Sequence, residues 1–154
     1  MRPRSSVGLA AVALAALGAG TGAVRAGGKK PAVIAGEYLV KFTQVANTCT
    51  QGSIALDGAS GTFAFEQKGK KLVVSFALTP IMRGSVDPDA KFTARARRGG
   101  TAIQDMDGEF SVAGAVTGGK EIELVMVGKY FFSGAPLCEQ SWTAKGQKKT
   151  PAKP

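Results

Sequence analysis

Few residues in this chain are of types and spacings that carry chemistry, and one absence narrows the field at once. There is no histidine, which removes the imidazole base of the Ser-His-Asp hydrolases and the commonest zinc ligand. No serine stands in a nucleophile-elbow sequence. The run Asp105-Met106-Asp107-Gly108-Glu109 gathers carboxylates, but without the regular ligand spacing and distal glutamate of a helical calcium loop. It reads as a turn with solvated carboxylates. Arg95, Arg97 and Arg98 form the densest basic cluster of the central region, and two of them alternate with apolar residues as the outer face of a strand does. The expectation is a non-catalytic protein with no metal and no cofactor.

The two cysteines, Cys49 and Cys138, are an even pair, which in an oxidising compartment predicts one disulfide. The N-terminus points to that compartment. Arg2 and Arg4 supply a positive start, Val7–Leu17 an apolar stretch of the length a signal peptide uses, and Val24-Arg25-Ala26 a cleavage site. A cleavable leader over Met1–Ala26 is predicted, and a periplasmic or secreted product. The glycines from Gly18 to Gly22 and then Arg25 end the apolar run short of the about 20 residues a membrane span requires.

Mapping the charge changes its meaning. The chain carries 20 Lys and Arg against 11 Asp and Glu. Arg2, Arg4 and Arg25 belong to the leader, and Lys29, Lys30, Lys145, Lys148, Lys149 and Lys153 lie near the ends. The segment Gly36–Ala144 is then neutral. Nucleic-acid binders place their excess charge on the folded face that meets phosphate, so nucleic acid is not an expected partner. Gly27–Ala35 and Lys145–Pro154 have the Gly, Pro and Lys composition of disordered tails, able at most to attach weakly to an anionic surface.

Between the tails the dominant pattern has period two, the mark of strands with one buried face. Lys91–Arg97 alternates strictly, and Gly36–Val45, Thr62–Gln67, Leu72–Thr79, Met82–Asp87, Glu109–Thr117, Lys120–Phe132 and Leu137–Ala144 complete eight candidates. Turn compositions such as Lys68-Gly69-Lys70-Lys71 and Asp87-Pro88-Asp89 separate them. Thr101–Gly108 reads as a bulge or loop. The predicted fold is all-β, an antiparallel up-and-down meander of about eight strands over residues 36–144. In such a meander closed into a barrel, Cys49 after the first strand lies beside Cys138 at the start of the last. A two-sheet sandwich with neighbouring end strands also permits that bond, but a barrel removes the exposed edges.

The inward parity collects Tyr38, Phe42, Phe63, Phe65, Phe76, Phe92, Phe110, Tyr130, Phe132 and Trp142, together with the small residues Gly84, Ala94, Ala96, Gly114 and Gly128. Gln44 and Gln140 fall on the same face near the cysteines. An apolar cup with a few polar groups at its mouth is the usual form of a small-molecule site, which makes Gln44, Tyr130, Gln140 and Trp142 the candidate ligand residues. Alternatively, the small residues make space for neighbouring rings. The first strand opening Gly36-Glu37-Tyr38, the meander, and the aromatic-bearing last strand Cys138–Ala144 resemble the lipocalin and avidin-type up-and-down barrels. That resemblance implies binding of a small, mostly apolar ligand. Two other functions fit the same chain: an envelope protein-protein interaction module, such as an inhibitor of an exported protease, or a structural protein held on anionic lipid or polysaccharide by its lysine tails.

Overall fold

The computed structural model describes residues 28–50 and 52–150, so the leader expected over Met1–Ala26 lies outside the described residues. Alternation of apolar and polar residues generates nine strands: β1 (Gly36–Asn47), β2 (Ser60–Lys68), β3 (Lys71–Phe76), β4 (Met82–Val86), β5 (Lys91–Arg95), β6 (Gly99–Gly100), β7 (Met106–Thr117), β8 (Glu121–Phe132) and β9 (Ala135–Lys148). They form one antiparallel sheet in the order β5-β4-β3-β2-β1-β9-β8-β7-β6, and β5 also pairs with β7. That last pairing closes the sheet into a ring. β6 contributes two residues on β7 and stands outside the ring. The eight remaining strands run up and down in sequence order, as the period-two segments and short turns require.

β1 and β9 are antiparallel neighbours over Tyr38–Asn47 and Gln140–Lys148. Cys49 and Cys138 are bonded where these two strands meet, across a sequence separation of 89.

Inward residues fill the barrel. Phe63 stacks on Phe76 at 4.7 Å between ring centroids, and Phe65 meets Tyr38 at 5.3 Å and Phe92 at 5.1 Å. Trp142, Tyr38, Phe42, Phe63, Val74, Met82 and Met126 are all 0 % exposed. A void large enough for a water molecule would leave accessible surface on the side chains around it, and these show none.

Of the two readings of the inward glycines, open cup or space for neighbours, the packing favours the second. Gly84 and Gly114 lie where neighbouring strands approach closely. A Cβ on Gly84 would run into the carbonyl oxygen of Thr93, and one on Gly114 into that of Glu123. At these close approaches of backbone to backbone only glycine fits. Gly128 is covered by the Phe110 ring, whose Cε1 lies 2.6 Å from where a Cβ would stand. Ala94 is buried against the same packed interior.

Both ends of the barrel are corked. At one end the segment before β1 crosses the mouth. Ala32 N–H donates to Asp87 O, Gln67 Nε2 donates to Ala32 O and Gln67 Oε1 accepts from Ile34 N–H. Ile34 then points inward, 1 % exposed, while Val33 points out, 78 % exposed. At the other end the loop between β1 and β2 drops Ile54 and Leu56 into the core. The expected tail boundaries therefore move. Ala32 and Ile34 are bound to the barrel, and β9 continues past Ala144 to Lys148, pairing with β1 and β8. No helix among the described residues is long and apolar enough to cross a membrane.

Candidate functional site

Three of the four residues expected at a ligand site meet beneath the β1–β2 loop. Alternation on β1, β8 and β9 turns Gln44, Tyr130 and Gln140 toward the disulfide end of the interior. Tyr130 OH donates to Gln140 Oε1 at 2.7 Å, and Gln140 Nε2 donates to Gln44 Oε1 at 3.1 Å. The same two residues hold the loop. Ile54 N–H donates to Tyr130 OH and Gln140 Nε2 donates to Ile54 O, both at 3.4 Å. Burial of Tyr130 pushes its phenol up to about 12, against the lowering effect of the bond from the Ile54 backbone. Burial also raises the Tyr38 phenol, which donates to Ile34 O at the opposite end.

This arrangement is a latch, not an open receptor. Its donors and acceptors satisfy one another, and its geometry seats Ile54 as a stopper. Trp142 lies directly across from Gln44 but takes no part in the network: it is fully buried, and its Nε1 has no hydrogen-bond partner among the described residues. The Ile54 contact was not legible in the sequence, because no periodicity fixes where a connecting loop folds back.

The outer surface at the same end carries a second feature. The β8–β9 register shifts between Tyr130, opposite Cys138, and Phe131, opposite Pro136, which leaves Leu137 of β9 as the extra residue, while the β7–β8 register runs unbroken to Phe132. Phe132, expected inside, is 54 % exposed at the end of the strand, and Phe131, expected outside, is buried beneath the Arg98 guanidinium. The β8–β9 hairpin turns at Ser133 and Gly134, both with positive φ, the backbone of a tight two-residue hairpin turn. Leu137, beyond the turn, is 50 % exposed. Arg98 locks the hairpin down. Its guanidinium lies 3.5 Å from the centroid of the Phe131 ring, its Nη1 donates to Gly134 O, and its Nε pairs with Glu109 at 3.5 Å. A cleft of about 540 Å³ runs between this hairpin and Thr48, Lys129 and Glu139.

The other clusters take structural places. Arg98 serves the hairpin, and Arg95 lies directly opposite Arg83 on the outer wall. Of the carboxylates at 105–109, Glu109 is paired with Arg98. The described residues contain no group of three His, Cys, Asp or Glu able to hold a metal ion.

Fold and site together define a filled, disulfide-closed up-and-down β-barrel with one rigid apolar hairpin. No protein-family model, curated protein or solved structure matches the chain.

Proposed function

We propose that this protein is an exported, non-catalytic interaction module that recognises a protein partner with its disulfide-bonded end. The observation that carries this is the uncharged hairpin tip, where Phe132 and Leu137 stay half exposed on a backbone fixed by Arg98 and by the nearby disulfide. Aromatic and apolar anchors beside a pocket, held rigid before contact, are the features that concentrate binding energy at protein interfaces. The Cys49–Cys138 bond supports an oxidising compartment outside the cytoplasm, in keeping with the leader-like first 26 residues. A small apolar ligand inside the barrel would have to displace packed rings or the Ile54 stopper, so the interior favours the interaction reading.

A photo-crosslinking residue in place of Phe132, expressed in living cells, tests it. A discrete adduct is expected, which Leu137→Asp abolishes without lowering the amount of folded protein. The outer-wall position Ala113 should give none. Equal adducts at both positions, or none at Phe132, would refute the assignment.

A further inference from the structure

We propose that the end of the barrel opposite the disulfide docks on an anionic lipid surface. This goes beyond the partner reading and does not depend on it. The neutral count over Gly36–Ala144 conceals an uneven distribution. The β2–β3, β4–β5 and β7–β8 turns and the last residues of β9 all emerge at this one end. They bring Lys70, Lys71, Lys91, Lys120 and Lys148 together. None of these five makes an ion pair among the described residues. The four ion pairs found there use Arg98, Lys129, Lys145 and Lys149. Of the carboxylates at this end, Asp87 accepts from the backbone N–H groups of Asp89 and Lys91 at 2.8 and 2.9 Å and Glu37 pairs with Lys149; Asp89 and Glu121 also lie here, and the five lysines outnumber them. At the opposite end the β3–β4 and β8–β9 turns carry no charge, and Asp57, Arg97, Arg98 and Asp105 of the other connections cancel.

Shape and chemistry both favour a membrane over a soluble polymer. Turn tips around a barrel rim meet a flat surface simultaneously, which the convex wall cannot do. Lysines act as point charges and suit a diffuse field of headgroups, whereas a defined anion calls for the planar fork of arginine. Val33 stands on the segment that crosses the mouth, 78 % exposed beside the Lys29–Lys70–Lys91 cleft. Its side chain points away from the core because its neighbour Ile34 points into it. An apolar residue set among lysines is what a surface of headgroups over hydrocarbon accommodates, and a hydrated polyanion offers it nothing.

The test is cosedimentation of the protein purified from the envelope or medium with vesicles of equimolar phosphatidylglycerol and phosphatidylcholine. Binding is expected there and not on pure phosphatidylcholine, and it should weaken as salt rises. Combining Lys70→Glu, Lys91→Glu and Lys120→Glu should lower partitioning by at least about a hundredfold, near fivefold per lysine lost. The combination Arg95→Glu, Arg97→Glu and Lys129→Glu removes the same charge elsewhere and should change partitioning less than about threefold. Val33→Ser, which removes the apolar side chain without adding charge, should weaken vesicle binding and leave binding to soluble dextran sulfate unchanged. Retention of the melting transition in each variant shows that the fold is intact. Equal losses from the two charge triplets would reduce the effect to net charge and overturn the proposal. So would failure to bind the anionic vesicles, or indifference of vesicle binding to Val33→Ser.

Discussion

Tyr130 uses one hydroxyl in two directions, donating to Gln140 and accepting from Ile54, and so joins the barrel wall to the loop that stops its mouth. Removing that hydroxyl leaves the Gln140 acceptor and the Ile54 N–H buried without it. Tyr130→Phe is therefore expected to cost about 1–3 kcal/mol at neutral pH, measured by chemical denaturation. The alkaline behaviour follows from the sign of the shift. The native phenol titrates at about 12 and the unfolded one near 10. Its contribution to stability is thus complete below pH 10 and is lost as pH rises toward 12. Tyr130→Phe should flatten the fall of melting temperature across that interval, and Tyr38, also raised, supplies the slope that remains. An unchanged alkaline slope would show that the phenol is not held by its surroundings. At this scale the sequence was partly legible. Side-chain parity put Gln44, Tyr130, Gln140 and Trp142 on one face, and the first three do meet. Parity alone gave no warning that Phe132 would stand exposed at the end of β8 or that Arg98 would cover Phe131, because alternation does not show where a strand outruns the core or which distant side chain folds over it.

Strands were the easiest elements to read because each has one buried face, and all eight members of the ring coincide with alternating segments. Connections and flanks were harder. Ile34 lies in a stretch whose composition resembles a tail, yet it is 1 % exposed, because an open barrel end creates a demand for an apolar cork that no local pattern records. The inward glycines posed the same difficulty. An absent side chain on a strand signals either empty space or a close approach, and only the neighbouring strand decides which. Here the neighbour is backbone at Gly84 and Gly114 and a ring at Gly128. Two substitutions separate a solid interior from a hollow one. Gly128→Leu and Ala94→Leu should each destabilise by about 1–3 kcal/mol, since overpacking forces rings and backbone to shift. Trp142, the single tryptophan, reports the interior directly, and its emission should not change saturably on adding an apolar dye. Stabilisation by either leucine, together with a saturable emission change, would reinstate an internal ligand.

The net charge of +9 suggests an evenly basic molecule, but folding sorts the charge by position. Lysine-bearing turns gather at one end of the barrel; at the other the β3–β4 and β8–β9 turns are uncharged, and Asp57, Arg97, Arg98 and Asp105 of the remaining connections balance. Linear counting could not find this, because a meander sends alternate turns to opposite ends and the separation appears only once strand order is fixed. The Cys49–Cys138 bond stiffens the end that carries the apolar hairpin, and closing a loop of that length stabilises by roughly 4–5 kcal/mol in the chain-entropy model. The two proposed surfaces thus face opposite directions, one toward lipid and one toward the aqueous partner, and the molecule has a required orientation. An environment-sensitive fluorophore attached through a cysteine at position 33 should shift its emission to the blue on anionic vesicles and lose that shift in high salt. The same fluorophore at position 132 should keep its aqueous emission and remain open to a water-soluble quencher. Attachment through the hairpin tip would produce the opposite pattern, with position 132 shielded and position 33 exposed. A barrel lying on its side would shield both positions equally, because the membrane would then contact the convex wall between them.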